Sequence, residues 1–88
     1  MKNITLSATQ WLLIYSLFKN FRGIEVHAAK RALKRYFVDK DIDLSQGGNV
    51  TAAISTSHAE VIYNAVGQMA LTEEVEDLLD AIADQLDA

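Results

Sequence analysis

Large apolar side chains are most densely spaced in the segment Trp11–Phe18, where seven of eight residues are apolar or aromatic. At about 100° per residue of a helix, all of them except Leu12 cover an arc of roughly 200°, about twice the width that an ordinary surface helix buries. Leu12 is the one apolar residue in the remaining polar sector, with Thr9 and Ser16. Ser7 and Gln10 have the spacing of a capping box, which places the start of this helix near Ala8, and Gly23 can end it. The pattern predicts a central helix that is covered on more than one side.

A second amphipathic helix is predicted from about Ile24 to Val38, and its polar arc is basic. The apolar arc contains Val26, Ala29, Ala32, Leu33, Tyr36 and Phe37. The opposite arc contains His27, Lys30, Arg31, Lys34 and Arg35. One side of this helix is therefore suited to the core and the other to solvent or an anionic partner.

Two further helices are predicted in the second half of the chain. Ser57 and Glu60 form another possible capping box, for a third helix that runs to about Ala70, and Thr72 is a suitable N-cap for a fourth. The apolar stripe of the fourth helix consists of Val75, Leu78, Leu79, Ile82 and Leu86. Its outer face is acidic and consists of Glu73, Asp77, Asp80, Asp84 and Asp87.

The segment between the second and third helices gives a weaker pattern. Residues 41–44 alternate, Gly47 and Gly48 indicate a turn, and residues 50–54 suit either a strand or a helix. Ala52 and Ala53 are poor strand residues, which favours the helix. Residues 1–6 are a short lead-in that could supply one edge strand. We therefore expect an all-α fold: one domain over residues 1–88, a compact bundle of about four helices, with a short hairpin or an extra helical turn around residues 42–56.

Composition limits the chemistry and the compartment. The chain has no cysteine, which excludes disulfides, thiolate metal sites and cysteine nucleophiles and favours a reducing compartment. The apolar run at residues 11–18 is too short to span a bilayer and lacks the flanks of a signal peptide. We expect a cytoplasmic protein, and a domain of 88 residues often gains stability by oligomerising.

Charge divides the chain into two halves. All eight Lys and Arg residues lie in residues 1–40, which have a net charge of +6, whereas residues 41–88 have a net charge of −10. Such asymmetry can serve partner binding, or the two halves can neutralise one another. Lys30, Arg31, Lys34 and Arg35 form a possible nucleic-acid face. The acidic outer face of the fourth helix could instead dock onto the basic groove of a protein partner.

No sequence pattern supports catalysis, a cofactor or a metal. Residues 39–43 have the Asp-x-Asp-x-Asp spacing that begins a calcium loop, but Leu44 and Val50 replace the glycine and the glutamate that such a loop requires. His27 and His58 have no partner at a metal-binding spacing, and no serine lies in a nucleophile-elbow context. We therefore expect a protein that is not an enzyme.

The aromatic residues of the first helix are core residues by default and interface anchors where they reach the surface. Trp11, Tyr15 and Phe18 lie on the side that we expect the other helices to leave uncovered, so we assign them to a homodimer seam or a partner interface. The resulting hypothesis is a non-enzymatic protein–protein interaction module, a regulator or inhibitor that acts as a homodimer. An accessory protein of a phage would fit this size. The alternative is a small nucleic-acid-binding regulator that uses the basic face of the second helix.

Overall fold

A computed structural model describes residues 1–87 of the chain. It contains four α-helices, two β-strands and a short 3-10 turn at Leu44–Gln46. In chain order the main elements are β1 (Lys2–Ser7), α1 (Ala8–Phe18), α2 (Ile24–Asp39), β2 (Asn49–Ile54), α3 (Thr56–Gly67) and α4 (Glu73–Leu86).

The two strands form an antiparallel sheet, so the expectation of an all-α fold was wrong and the fold is mixed α/β. Ile4 lies opposite Ala52, and Leu6 lies opposite Val50. Ile4, Leu6, Ala52 and Ile54 are buried, whereas Thr5 between the first two is exposed, which is the alternation of a strand with one face on the core. Ala52 is a weak strand former, but it is fully buried opposite the larger Ile4, and tertiary packing outweighs its intrinsic preference.

We favoured a helix for residues 50–54, but these residues belong to the strand β2. No local hairpin forms, because the partner of β2 is the N-terminal strand. The extra helical turn is present only as the 3-10 turn before the glycines. Gly47 and Gly48 have φ values of +75° and +78°, a backbone conformation that favours glycine. The carbonyl of Gly48 accepts a hydrogen bond of 2.8 Å from the N–H of Ala8, which joins this turn to the start of α1.

The predicted capping box of α1 is confirmed. The Ser7 hydroxyl accepts a hydrogen bond of 3.1 Å from the N–H of Gln10, and the Gln10 side chain accepts one of 3.0 Å from the N–H of Ser7. Thr72 caps α4 as expected, accepting a bond of 3.2 Å from the N–H of Val75. The N-caps at Ser7 and Thr72 therefore define the starts of α1 and α4.

The N-cap of α3 differs from its prediction. Ser55, not Ser57, accepts the hydrogen bond of the first turn, from the N–H of His58 at 3.1 Å. Helix α3 consequently begins at Thr56, and it ends at Gly67 before reaching Ala70. Ser57 lies inside the first turn and is exposed.

Helix α1 lies in the core, as its wide apolar arc predicted. Trp11 is only 1% exposed, and its indole N–H donates a hydrogen bond of 2.9 Å to the carbonyl of Val50 in β2. Its ring meets Phe37 of α2 edge-on, with centroids 5.4 Å apart and planes at 78°. Trp11 therefore joins α1 to both the sheet and α2.

Helix α3 packs against both α2 and α4, which make no extensive contact with each other. Helix α4 also packs against β1. There the Gln85 side chain accepts a hydrogen bond from the N–H of Thr5 and donates one of 2.8 Å to the Thr5 carbonyl. The last helix thus holds the N-terminal strand in place.

Candidate interaction surfaces

The outer face of α2 is a basic surface, and the inner face of this helix packs against the core. Ala29, Leu33 and Phe37 are buried, and the helical repeat turns Arg31 and Arg35 to the opposite side. Arg31, Lys34 and Arg35 are exposed, Lys30 is half-buried, and His27 is exposed. A shallow hollow of about 780 Å³ lies along this face and is lined by Ala28, Arg31, Ala32, Lys34, Arg35, Val38 and Asp39.

The cations of this face are not neutralised within the part of the chain that the structure describes. Among residues 1–87, none of Lys30, Arg31, Lys34 and Arg35 has an ion pair or a side-chain hydrogen bond. The acidic α4 lies across α3 from α2, which explains why the two charged helices do not pair directly. The folded chain therefore displays separate positive and negative surfaces.

The outer face of α4 carries the negative surface. Val75, Leu78 and Ile82 are buried on the inner side of this helix. The predicted acidic residues are all exposed, namely Glu73, Asp77, Asp80, Asp84 and Asp87. Acids in the first turn also lie at the positive end of the helix dipole, which stabilises the helix.

The predicted aromatic seam is not a surface at Trp11 and Phe18, which corrects the assignment of these two residues. Trp11 and Phe18 are 1% and 5% exposed and belong to the core of a single chain. Tyr15 is half-buried, and its burial raises its pKa to about 12. Phe37 of α2 lies against the rings of Trp11 and Tyr15, so α2 covers the side of α1 that we expected to stay uncovered.

The surface of α1 instead presents Leu12, which is 49% exposed. It lies with Thr9 and Ser16, which are also exposed, on the narrow outer strip of the helix. The helical wheel already placed Leu12 as the one apolar residue in the polar sector of α1, and that anomaly was the available signal. Other large apolar side chains with high exposure are Met1, Ile24, Val38 and Leu71.

The aspartates with the calcium-loop spacing shape a turn. Asp43 accepts hydrogen bonds of 2.9 Å from the N–H of Ser45 and 2.6 Å from its hydroxyl, and so caps the 3-10 turn. The bond from the Ser45 hydroxyl is the main reason why the pKa of Asp43 lies below its ordinary value. Asp41 adopts a positive φ of 54° at the preceding bend.

The two histidines lie on different helices. His27 is exposed on α2, and His58 is half-buried in the first turn of α3. Across residues 1–87, no group of three or more His, Asp or Glu side chains is arranged to hold a metal ion.

Compared with protein-family models, curated proteins and solved structures, the chain matches none of them. No helix in the described part of the chain has the length and apolarity needed to cross a bilayer.

Proposed function

We propose that this protein is a non-enzymatic protein–protein interaction module, a regulator or inhibitor that works as a homodimer in the cytoplasm. The observation that carries this proposal is the separation of unpaired charge on α2 and α4. Charged faces that find no partner inside the chain can steer and select a partner of opposite charge. The lack of cysteine supports a reducing compartment.

The partner face that we assign to a protein is the acidic outer face of α4. Its five exposed carboxylates follow one side of a rigid helix whose other side is anchored in the core. A basic groove on a partner would match this face, including a groove that otherwise binds nucleic acid. The protein would then act by occupying that groove.

A pull-down from the source cell tests this assignment, with nucleic acid digested in a parallel sample. The test variant is Asp80→Asn/Asp84→Asn/Asp87→Asn, which removes three exposed charges from α4 without changing side-chain size. We expect a protein that is retained after digestion with the wild type and lost with this variant. Light scattering at micromolar concentration should give twice the chain mass.

A matched control removes three exposed acids elsewhere, as Glu25→Gln/Asp39→Asn/Glu60→Gln. Retention of the partner by the control and not by the α4 variant supports the acidic face of α4 as the partner site. Equal retention by both variants would exclude the face, and a monomer would exclude the homodimer.

A second candidate function is nucleic-acid binding through α2. It is favoured by one observation: Arg31, Lys34 and Arg35 are exposed on one helical face and have no ion pair within residues 1–87. Unpaired Lys and Arg side chains on a helix can neutralise phosphates and release counterions. The overall charge of −4 argues against it, since nucleic-acid modules are usually basic.

Fluorescence anisotropy with labelled DNA and RNA tests this candidate. Binding through α2 should weaken with salt, and Arg31→Glu/Lys34→Glu/Arg35→Glu should abolish it. The control variant, Lys19→Glu/Arg22→Glu/Lys40→Glu, reverses three exposed cations outside this face. No binding by the wild type at low salt, or equal loss in both variants, would dismiss α2 as the site.

A further inference from the structure

The outer strip of α1 is a neutral ridge, formed by Thr9, Leu12 and Ser16. No residue from Ala8 to Phe18 is charged. All three ridge residues are exposed, and Leu12 is the apolar one. Solvent-exposed leucine between polar neighbours is unremarkable by itself, so the surroundings of the ridge decide what it can do.

One side of the ridge faces α2. Leu12 and Tyr15 form one wall of a hollow of about 640 Å³, and Lys30, Lys34 and Val38 form the opposite wall. We call this the α2-side hollow. Its apolar lining residues and its two lysines suit an anionic group carried on an apolar surface.

The other side of the ridge faces α4. Leu12 also lines a second hollow, of about 440 Å³, together with Leu13 and Ser16 of α1. Glu74 and Asp77 form its opposite wall, and both are exposed. We call this the α4-side hollow. The neutral ridge therefore separates two lysines, Lys30 and Lys34, from two carboxylates, Glu74 and Asp77.

Two carboxylates also lie at the loop end of the α2-side hollow. They are Asp41 and Asp43, next to Ile42 and Leu44 in the lining. The Asp43 carboxylate already accepts hydrogen bonds from Ser45, so it has a structural role. The positive charge of this hollow is thus confined to its helical wall, and a matching surface must meet Lys30 and Lys34.

We propose that a second copy of this chain docks on the Leu12 ridge, with a two-fold axis parallel to α1. Such an axis exchanges the two sides of the ridge, so Lys30 and Lys34 of each copy meet Glu74 and Asp77 of the other. An axis perpendicular to α1 within the interface would place like charges together. Isologous interfaces require a self-complementary patch, and this surface has that property.

The inference rests on the homodimer in the proposed function and assigns its interface. The main test uses two charge-reversal variants, Lys30→Glu/Lys34→Glu and Glu74→Lys/Asp77→Lys. Each variant alone should have like charges across the interface, and its dimer dissociation constant should rise at least about tenfold in low salt. An equimolar mixture should restore a heterodimer, because every contact then joins opposite charges.

Sedimentation equilibrium measures these constants, and circular dichroism checks that each variant is folded. A third variant, Leu12→Arg, should weaken the dimer without any change at the charged walls. Its matched control is Ile24→Arg, which changes a more exposed apolar residue outside both hollows. The control should dimerise like the wild type.

The outcomes separate the inference from the proposed function. A wild type that stays monomeric removes the homodimer and this interface together. A wild-type dimer that tolerates Leu12→Arg and both charge reversals places the interface elsewhere and overturns only the inference. Two monomeric charge variants that fail to combine when mixed would overturn the exchange of α2 and α4 walls.

Discussion

Helices α1 and α2 follow one another in the chain but divide their surfaces differently. Helix α1 has no charged residue and leaves only a narrow strip exposed. Helix α2 has six charged residues and buries only three, Ala29, Leu33 and Phe37. Within this pair of helices, most of α1 and one face of α2 pack in the core, while the other face of α2 is exposed. Substitutions in the two helices can test this division.

The largest loss of stability is expected for Trp11→Ala in α1. This change removes the largest fully buried side chain, its edge-on contact with Phe37 and its hydrogen bond to Val50. We expect the free energy of unfolding to fall by about 3–5 kcal/mol, measured by urea denaturation. A loss below about 1 kcal/mol would contradict the role of Trp11 in joining α1 to the sheet and to α2.

The two faces of α2 should respond very differently to alanine. Leu33 is fully buried, so Leu33→Ala should cost about 2–5 kcal/mol through lost burial and the remaining cavity. The adjacent Lys34 is exposed, and Lys34→Ala should change stability by less than about 0.5 kcal/mol. Similar losses in the two variants, measured by urea denaturation, would contradict the assignment of inner and outer faces.

The capping box of α1 should contribute less than its core. Ser7→Ala removes the acceptor of the Gln10 N–H, and we expect a loss of about 1 kcal/mol. A double-mutant cycle with Gln10→Ala measures how far the two reciprocal bonds depend on each other. Strictly additive losses would indicate that the bonds act independently.

Tyr15, on the border between α1 and α2, gives a prediction in pH. Its pKa is raised to about 12 in the folded chain, against an ordinary value near 10. Burial favours the neutral phenol, so the folded chain holds the Tyr15 proton more tightly than the unfolded chain does. The contribution of Tyr15 to the free energy of unfolding is therefore fully present below about pH 10 and is lost as the pH rises towards 12. The difference in phenolate absorbance between the wild type and Tyr15→Phe isolates the ionisation of Tyr15. This difference should have its midpoint near pH 12. A midpoint near 10 in folded protein would show that Tyr15 is solvated.

The smallest effect on stability is expected for Arg31→Glu/Arg35→Glu on the outer face of α2. Both side chains are exposed and have no ion pair within residues 1–87, so the free energy of unfolding should change by less than about 0.5 kcal/mol. Urea denaturation measures it. A large loss would mean that this face supports the fold and is not reserved for binding.

The starts of α1 and α4 could be predicted because each depends on a cap and an apolar repeat within a few residues, as at Ser7 and Thr72. The strand at residues 49–54 could not be predicted in this way. Its partner, Lys2–Ser7, is remote in sequence, and Ala52 and Ala53 locally favour a helix. Burial of Trp11 and Phe18 likewise depends on which helix covers them, and periodicity alone does not give that information.

For the candidate surfaces too, local features could be predicted from the sequence and features that depend on tertiary packing could not. The basic face of α2 and the acidic face of α4 could be predicted, since helical periodicity alone turns their charged residues outward. Whether those faces pair with each other depends on the arrangement of three helices, with α3 between them. The ridge at Leu12 was visible only as an exception in the wheel of α1.

The bond between Gln85 and Thr5 affects how these molecules meet at high concentration. An open strand edge presents unpaired N–H and C=O groups, which can template β-sheet aggregation between chains. The Gln85 amide occupies both backbone groups of Thr5, much as a neighbouring strand would. At this position a side chain of the last helix therefore shields the edge of β1 from strand pairing with another molecule.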